Sequence, residues 1–134
     1  MEVLPSFNKK GEIKMNYKTF KYKRYKNCYF EVGNYLYNKQ AMSIMINNDK
    51  WEDPIVVTVN MPDYLYAPNS ATIKNYSENG KMTEFLIDLD IIEYIYSKKK
   101  CNIYAGGNET IDYCEINIEK LKEYSKKFDY KFEY

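Results

Sequence analysis

Apolar and polar residues alternate along several short stretches of this chain, with turn-forming residues between them. Phe20 and Tyr22, for example, alternate with Lys21 and Lys23, and this period of two predicts a half-exposed strand. Comparable patterns predict strands over residues 17–26, 28–37, 41–46, 55–59, 91–96, 103–105 and 113–118. Because these strands do not alternate with helices, the pattern predicts an α+β fold with a mainly antiparallel sheet of about five to seven strands.

The strongest strand signal lies at residues 55–59. Their sequence, Ile-Val-Val-Thr-Val, is nearly all β-branched, and β-branched side chains favour the pleated sheet. We therefore expect this strand to be central. The Gly-Asn pair at residues 33–34 predicts a bulge or a hairpin turn, and the three lysines at residues 98–100 are expected to form a basic turn.

Two stretches have the spacing of amphipathic helices. In the first, the positions i, i+3, i+4 and i+7 are occupied by Met82, Phe85, Leu86 and Leu89. They predict a helix over about residues 79–90, with Ser77 or Asn79 as its N-cap. A weaker apolar face predicts a shorter C-terminal helix over about residues 119–128, and residues 129–134 are expected to form an edge strand or a frayed tail.

Length and composition predict one small domain inside the cell. The 134 residues fit a single domain, in which residues 1–16 are expected to be a loose lead-in with a short extended piece. No apolar run approaches the length of a membrane span, and no secretory signal is recognisable. Cys28, Cys101 and Cys114 are odd in number and widely spaced, which predicts reduced and mostly buried thiols in the cytoplasm.

The chain contains no histidine. This excludes histidine-based triads, Cys–His pairs and His-ligated metal ions. Carboxylate chemistry remains as an alternative, with Glu52 and Asp53 or Asp88 and Asp90 as the candidate pairs, although close acidic residues are more typical of a solvated surface. We therefore expect a protein that is not an enzyme, with no catalytic residues, no cofactor and no bound metal.

Charge is distributed unevenly along the chain. Residues 1–26 hold eight basic and two acidic side chains, a net charge of +6, whereas residues 27–134 have a net charge of −5. Aromatic residues interleave with the basic ones, and we expect a partner-binding surface formed by Tyr17, Lys21, Tyr22, Lys23, Arg24, Tyr25 and Lys26. Cations of this kind meet phosphates or acidic side chains, and rings stack on bases.

Two other interpretations of these features remain open. The same alternation is typical of an ordinary edge strand, whose outward lysines block pairing with other chains. The 16 tyrosines agree with an A/T-rich coding sequence as well as with a recognition surface, where tyrosine is enriched.

Two motifs occur in order within residues 55–90: Val-Asn-Met-Pro at residues 59–62 and Ile-Lys-Asn-Tyr-Ser-Glu-Asn at residues 73–79. They resemble the motifs of an uncharacterised family of short phage and mobile-element proteins. In that family a β-branched strand ends in Val-Asn-Leu-Pro, and an Ile-Lys-Asp-Tyr-Ser-Glu-Asn motif precedes an amphipathic helix. Met61 replaces leucine and Asn75 replaces aspartate, and the matching motif residues are Asn60, Pro62, Tyr76, Ser77, Glu78 and Asn79.

The resemblance implies a phage or prophage context in the cytoplasm of a bacterial host, and not a reaction. By association it implies an inhibitor that binds a host protein or ribonucleoprotein complex, such as a CRISPR effector. Two alternatives are a nucleic-acid-binding accessory protein that uses residues 17–26, and a sponge for a signalling nucleotide with a deep pocket lined by tyrosine and lysine.

Overall fold

The computed structural model describes residues 6–7, 13–14, 16–100 and 110–132. Near the N-terminus, strands β1 (Ser6–Phe7) and β2 (Ile13–Lys14) form an antiparallel pair in which Ser6 lies opposite Lys14. This pair confirms the short extended piece predicted within the lead-in.

The larger sheet is built around two long antiparallel strands that run from Tyr29, opposite Asn47, to Tyr35, opposite Asn38. Its strands are β3 (Phe20–Tyr22), β4 (Tyr25–Tyr35), β5 (Asn38–Asn47), β6 (Ile55–Val56) and β10 (Ser125–Phe128). Their order is β10-β4-β5-β6, and β3 also pairs with β4. The pairing of β10 with β4 is parallel, and the other pairings in this sheet are antiparallel.

A second, antiparallel sheet has the strand order β7-β9-β8. These strands are β7 (Ser70–Lys74), β8 (Ile92–Lys100) and β9 (Thr110–Ile116). A 3-10 turn, Ser77–Asn79, precedes helix α1 (Met82–Asp88), and helix α2 (Ile118–Glu123) follows β9. The predicted α+β fold with a mainly antiparallel arrangement is thereby confirmed.

The β-branched residues 55–59 pass from one sheet to the other. Val57 donates its N–H to the carbonyl of Ile44 in β5, and its own carbonyl accepts from Lys74 in β7, each at 2.9 Å. Thr58 then forms an isolated antiparallel bridge with Ile73. The regular ladder is therefore limited to β6, and the prediction of one continuous strand over 55–59 is wrong in extent, since the hydrogen bonds are divided between two sheets.

The core contains side chains from both sheets and both helices. Phe20 contacts the rings of Phe30, Phe85 and Tyr124, with centroids 4.6, 5.7 and 5.8 Å apart. Fully buried aliphatic residues complete the core, including Met42, Ile44, Ile46, Val57, Ile73, Met82, Leu86, Ile91 and Leu121. The alternation predicted in residues 41–46 is confirmed, because β5 buries its even-numbered members Met42, Ile44 and Ile46.

Helix α1 is shorter than the predicted helix over residues 79–90, and its predicted N-cap is wrong. The 3-10 turn and the left-handed backbone of Lys81, with φ of 63°, delay the start of the helix to Met82. Neither Ser77 nor Asn79 caps it. The N–H of Thr83 instead donates to Oδ1 of Asn75 at 2.7 Å, so a residue outside the helix satisfies this early donor.

The second predicted helix, over residues 119–128, is wrong in its C-terminal half. Asn117 caps α2 by accepting from the N–H of Lys120 at 3.1 Å, and the helix ends at Glu123. Ser125–Phe128 form β10, whose two end residues are buried. The edge strand that was one of the two alternatives for residues 129–134 is not found in the described residues 129–132. Residues 129–132 are irregular, and residues 133–134 lie outside the described residues.

Several predicted turns also move. Gly33 and Asn34 lie inside β4, where the register with β5 shifts between Asn34 and Tyr35, in agreement with the bulge that was one of the two predicted alternatives. The hairpin turn consists of Leu36 and Tyr37. The lysines at 98–100 belong to β8, so the predicted basic turn is wrong. Cys28 and Cys114 are buried free thiols, as predicted. Cys101, the strand predicted at 103–105 and the glycine turn at 106–108 lie outside the described residues.

Candidate binding cleft

The basic-aromatic residues 17–26 do not all lie on one surface. In β3 the side chain of Lys21 is exposed, whereas Phe20 and Tyr22 point into the core. Tyr22 is 3% exposed, and its ring packs edge-on against Phe85 at 5.0 Å. The period-two alternation is therefore confirmed, but the ring of Tyr22 is not part of the accessible surface.

Three of the predicted contact residues, Arg24, Tyr25 and Lys26, line one side of a cleft of about 600 Å³. The other lining residues are Asn27 and, from the loop after β5, Asn48, Asp49, Lys50 and Trp51. We refer to this feature as the Tyr25–Trp51 cleft. Its volume lies within the range of roughly 300–1,000 Å³ that is usual for ligand sites.

Two aromatic rings in contact, one from each side of the cleft, form with a guanidinium what we call the aromatic wall. The rings of Tyr25 and Trp51 are perpendicular, with centroids 5.1 Å apart. The guanidinium of Arg24 lies 5.3 Å from the centroid of Tyr25, and its Nη2 donates to the Tyr25 hydroxyl at 3.2 Å. Tyr25 is 37% exposed, so the wall presents a fixed aromatic surface to solvent.

Asn48 holds the two sides of the cleft together. Its Nδ2 donates to the carbonyl of Lys26 at 2.6 Å, and its Oδ1 accepts from the N–H of Lys50 at 3.0 Å. Its carbonyl accepts from the N–H of Trp51 at 2.9 Å. Asn48 is 7% exposed. Residues 47–49 are all polar, but the sequence gives no indication that the side-chain amide of Asn48 joins this loop to β4.

The cleft is positively charged on balance. Among the described residues, Arg24, Lys26 and Lys50 have no carboxylate at ion-pair distance. Asp49, the acidic lining residue, lies 3.6 Å from the ammonium of Lys126. Asp49 also accepts from the Tyr29 hydroxyl at 2.8 Å. Its charge is thus compensated from outside the cleft, whereas the three cations are available to a ligand.

The predicted contact residue Tyr17 lies beside this site. Its half-buried ring packs edge-on against Tyr29, with centroids 5.6 Å apart. Burial, with a smaller contribution from the negative charge of Asp49, raises the pKa of Tyr17. Lys23 is exposed, and its ammonium lies 5.4 Å from the ring of Tyr22. Tyr17, Lys21 and Lys23 do not line the cleft.

Two residues of the resemblance motifs, Asn60 and Asn79, form hydrogen bonds with other parts of the framework. Asn60 donates to the carbonyl of Tyr37 at 3.3 Å and accepts from Nδ2 of Asn38 at 3.4 Å, so it supports the hairpin turn. Buried Asn79 donates to the carbonyl of Val56, and Tyr76 lies under the ammonium of Lys74. Pro62 and Ser77 are exposed, and the side chain of Glu78 is not among those described.

A second polar cluster surrounds Asp112, which sequence reasoning did not identify. This carboxylate is 2% exposed and lies in a cavity of about 330 Å³. Its Oδ2 accepts from Nδ2 of Asn75 at 3.0 Å and from Oγ1 of Thr83 at 2.8 Å, and the ammonium of Lys98 lies 4.0 Å away. Asp112 thus connects β9 with β8, with the start of α1 and with the end of β7.

The carboxylate pairs considered from sequence do not form enclosed sites. Glu52, Asp53, Asp88 and Asp90 are all exposed. Within the described parts of the chain, no three Cys, Asp or Glu side chains gather as a metal site requires. In the same parts of the chain, the helices fall short of the length and apolar character needed to cross a membrane.

Comparisons with known proteins returned no match to any family model, curated protein or solved structure. The resemblance to phage and mobile-element proteins therefore stays a prediction that rests on the two motifs alone.

Proposed function

We propose that this chain is a non-enzymatic binding protein that attaches to a host protein or ribonucleoprotein complex through the Tyr25–Trp51 cleft. Within this proposal it is a mobile-element product that inhibits a host defence complex such as a CRISPR effector. One observation carries the proposal. A single cleft contains two aromatic rings that pack against each other and against a guanidinium, and its cations have no carboxylate partner among the described residues.

The residue types in the cleft are those that dominate binding energies at interfaces. Trp, Tyr and Arg are enriched among the few residues whose loss costs about 2 kcal/mol or more. All three residue types occur in the cleft, where the Tyr25 ring contacts both Trp51 and Arg24. Because Asn48 fixes the loop that carries Trp51, little ordering entropy would be lost on binding. Lys26 and Lys50 would steer an acidic partner toward this wall.

Affinity capture from host lysate tests the proposal. Immobilised wild-type protein is compared with a Tyr25→Ala/Trp51→Ala variant and with a Tyr94→Ala control. Tyr94 is 60% exposed but lies in β8, on the other sheet. We expect the wild-type protein and the control to enrich the same host complex, and the cleft variant to lose it at least tenfold. Equal enrichment by all three proteins would contradict the proposal.

An assay in cells tests the inhibitory part. The chain is expressed in a strain whose CRISPR effector reduces transformation by a targeted plasmid. We expect transformation to recover with the wild-type chain and with Tyr94→Ala, but not with the cleft variant. Unchanged transformation for a panel of effector types, combined with normal capture of a host complex, would restrict the function to binding without inhibition of CRISPR effectors.

A further inference from the structure

We infer that the Tyr25–Trp51 cleft binds single-stranded nucleic acid, with a base stacked on its aromatic wall and the adjoining phosphates on Arg24, Lys26 and Lys50. This inference rests on the proposed function, because it names the chemical class that the cleft recognises in a ribonucleoprotein partner. The single strand is favoured over an acidic protein surface by the geometry of the wall.

The wall provides surfaces for stacking. Because the rings of Tyr25 and Trp51 are perpendicular, with centroids 5.1 Å apart, a base stacked on one ring would present its own edge to the face of the other. Arg24 lies over the Tyr25 ring, and a guanidinium plane is itself a stacking surface for bases. An acidic peptide would use the cations of the cleft but would not require these rings.

The cations lie around the same wall. Arg24, Lys26 and Lys50 all line the cleft together with Tyr25 and Trp51, and the Arg24 guanidinium lies 5.3 Å from the centroid of the Tyr25 ring. The carboxylate of Asp49 is compensated by Lys126. Backbone phosphates on either side of a stacked base therefore meet positive charge, as in proteins that bind single strands without sequence preference. A duplex would keep its bases inside its own stack and present only phosphates.

Trp51 is the single tryptophan of the chain, so its fluorescence reports on the cleft directly. At low salt, the protein is titrated separately with an unlabelled single-stranded RNA 12-mer, with the equivalent DNA and with the corresponding duplexes. We expect both single strands to quench Trp51 emission and the duplexes to leave it nearly unchanged. A plot of the logarithm of the binding constant against the logarithm of the salt concentration should have a slope of about −2. Each of about three contacted phosphates contributes about −0.7 to this slope.

Variants separate stacking from charge. Binding of a fluorescein-labelled 12-mer is measured by anisotropy, with circular dichroism as the check of folding. We expect Tyr25→Ala to weaken binding by about 5- to 100-fold, and Tyr25→Phe to retain most of it. Lys50→Gln should weaken binding severalfold, whereas the charge-matched control Lys99→Gln, in exposed β8, should have little effect.

The inference is overturned if single strands neither quench Trp51 nor change anisotropy at low salt. It is also overturned if duplexes or poly-glutamate bind as tightly, or if Lys99→Gln is as damaging as Lys50→Gln. These outcomes are separable from failure of the proposed function. Should the cleft still capture a host complex from nuclease-treated lysate while ignoring single strands, its partner is a protein surface and the proposed function stands.

Discussion

At the scale of single residues, three tyrosine hydroxyls accept hydrogen bonds from the backbone of a loop. The hydroxyls of Tyr66, Tyr113 and Tyr130 accept from the N–H groups of Met61, Ala67 and Asn69, at 3.1, 2.8 and 3.0 Å. A loop without regular structure leaves donors that water or side chains must satisfy. Part of the tyrosine excess is therefore structural, and the recognition role proposed above concerns exposed members such as Tyr25.

Asn48 provides the first prediction at this scale. Asn48→Ala removes the bonds to the carbonyl of Lys26 and from the N–H of Lys50, and each lost hydrogen bond costs about 0.5–1.5 kcal/mol. We expect urea denaturation to show this loss, and Trp51 emission to shift to longer wavelength because the loop separates from β4. The exposed neighbour variant Asp53→Ala should change neither. A stable Asn48→Ala protein with unchanged emission would contradict the role assigned to this amide.

At the scale of elements, the start of α1 depends on an amide that faces a carboxylate. Nδ2 of Asn75 donates to Asp112, while its Oδ1 accepts from the N–H of Thr83. The family that the motifs resemble has aspartate at this position, which here would place two carboxylates together. The asparagine is thus matched to the buried Asp112 on β9.

Asn75→Asp is therefore expected to destabilise the protein by about 2 kcal/mol or more, since it removes a buried donor and adds like-charge repulsion. The matched control is a variant in which the amide of residue 75 and the carboxylate of residue 112 are exchanged. The double variant Asn75→Asp/Asp112→Asn restores one amide facing one carboxylate and should recover most of the lost free energy of unfolding in a double-mutant cycle. A double variant no more stable than Asn75→Asp would show that the pair is not coupled.

Local pattern was sufficient to predict elements whose side chains alternate within one sheet, such as β3 and β5. It failed where distant contacts decide the structure. Residues 121, 125 and 128 are all buried, a spacing that suits a helix, yet the parallel pairing with β4 makes Ser125–Phe128 a strand. The candidate site shows the same limit. Residues 24–26 were predicted as contact residues from their local pattern, whereas Asn48 and Trp51 were not, because only the fold brings the loop after β5 close to residues 24–26.

At the scale of the whole molecule, buried hydroxyls and a thiol make the stability sensitive to alkali. Burial raises the pKa of Tyr29, with a further contribution from its hydrogen bond to Asp49. Burial likewise raises the pKa values of Tyr35, Tyr66 and Tyr130, and that of Cys114 to about 12. These groups are neutral when protonated, so the unfolded chain loses its protons first as the pH rises.

The free energy of unfolding should therefore be highest below the ordinary pKa values of 9.0 for cysteine and 10.0 for tyrosine, and should fall as the pH rises through them. Urea denaturation between about pH 8 and pH 11 measures this. Tyr29→Phe removes one contributor, and we expect a shallower fall than in the wild-type protein. Parallel curves for the two proteins would contradict the role of Tyr29.

The parallel pairing of β10 with β4 has a consequence for the order of folding during synthesis. Phe30 and Phe128 occupy paired strands, although about one hundred residues of chain are made between them. While the ribosome is still adding those residues, β4 can form its hairpin with β5 but must leave the edge reserved for β10 unpaired. Such an edge invites pairing with other nascent chains. Pairing of β10 with β4 therefore protects this edge only late in synthesis. Premature termination before residue 125 is expected to yield a chain that aggregates.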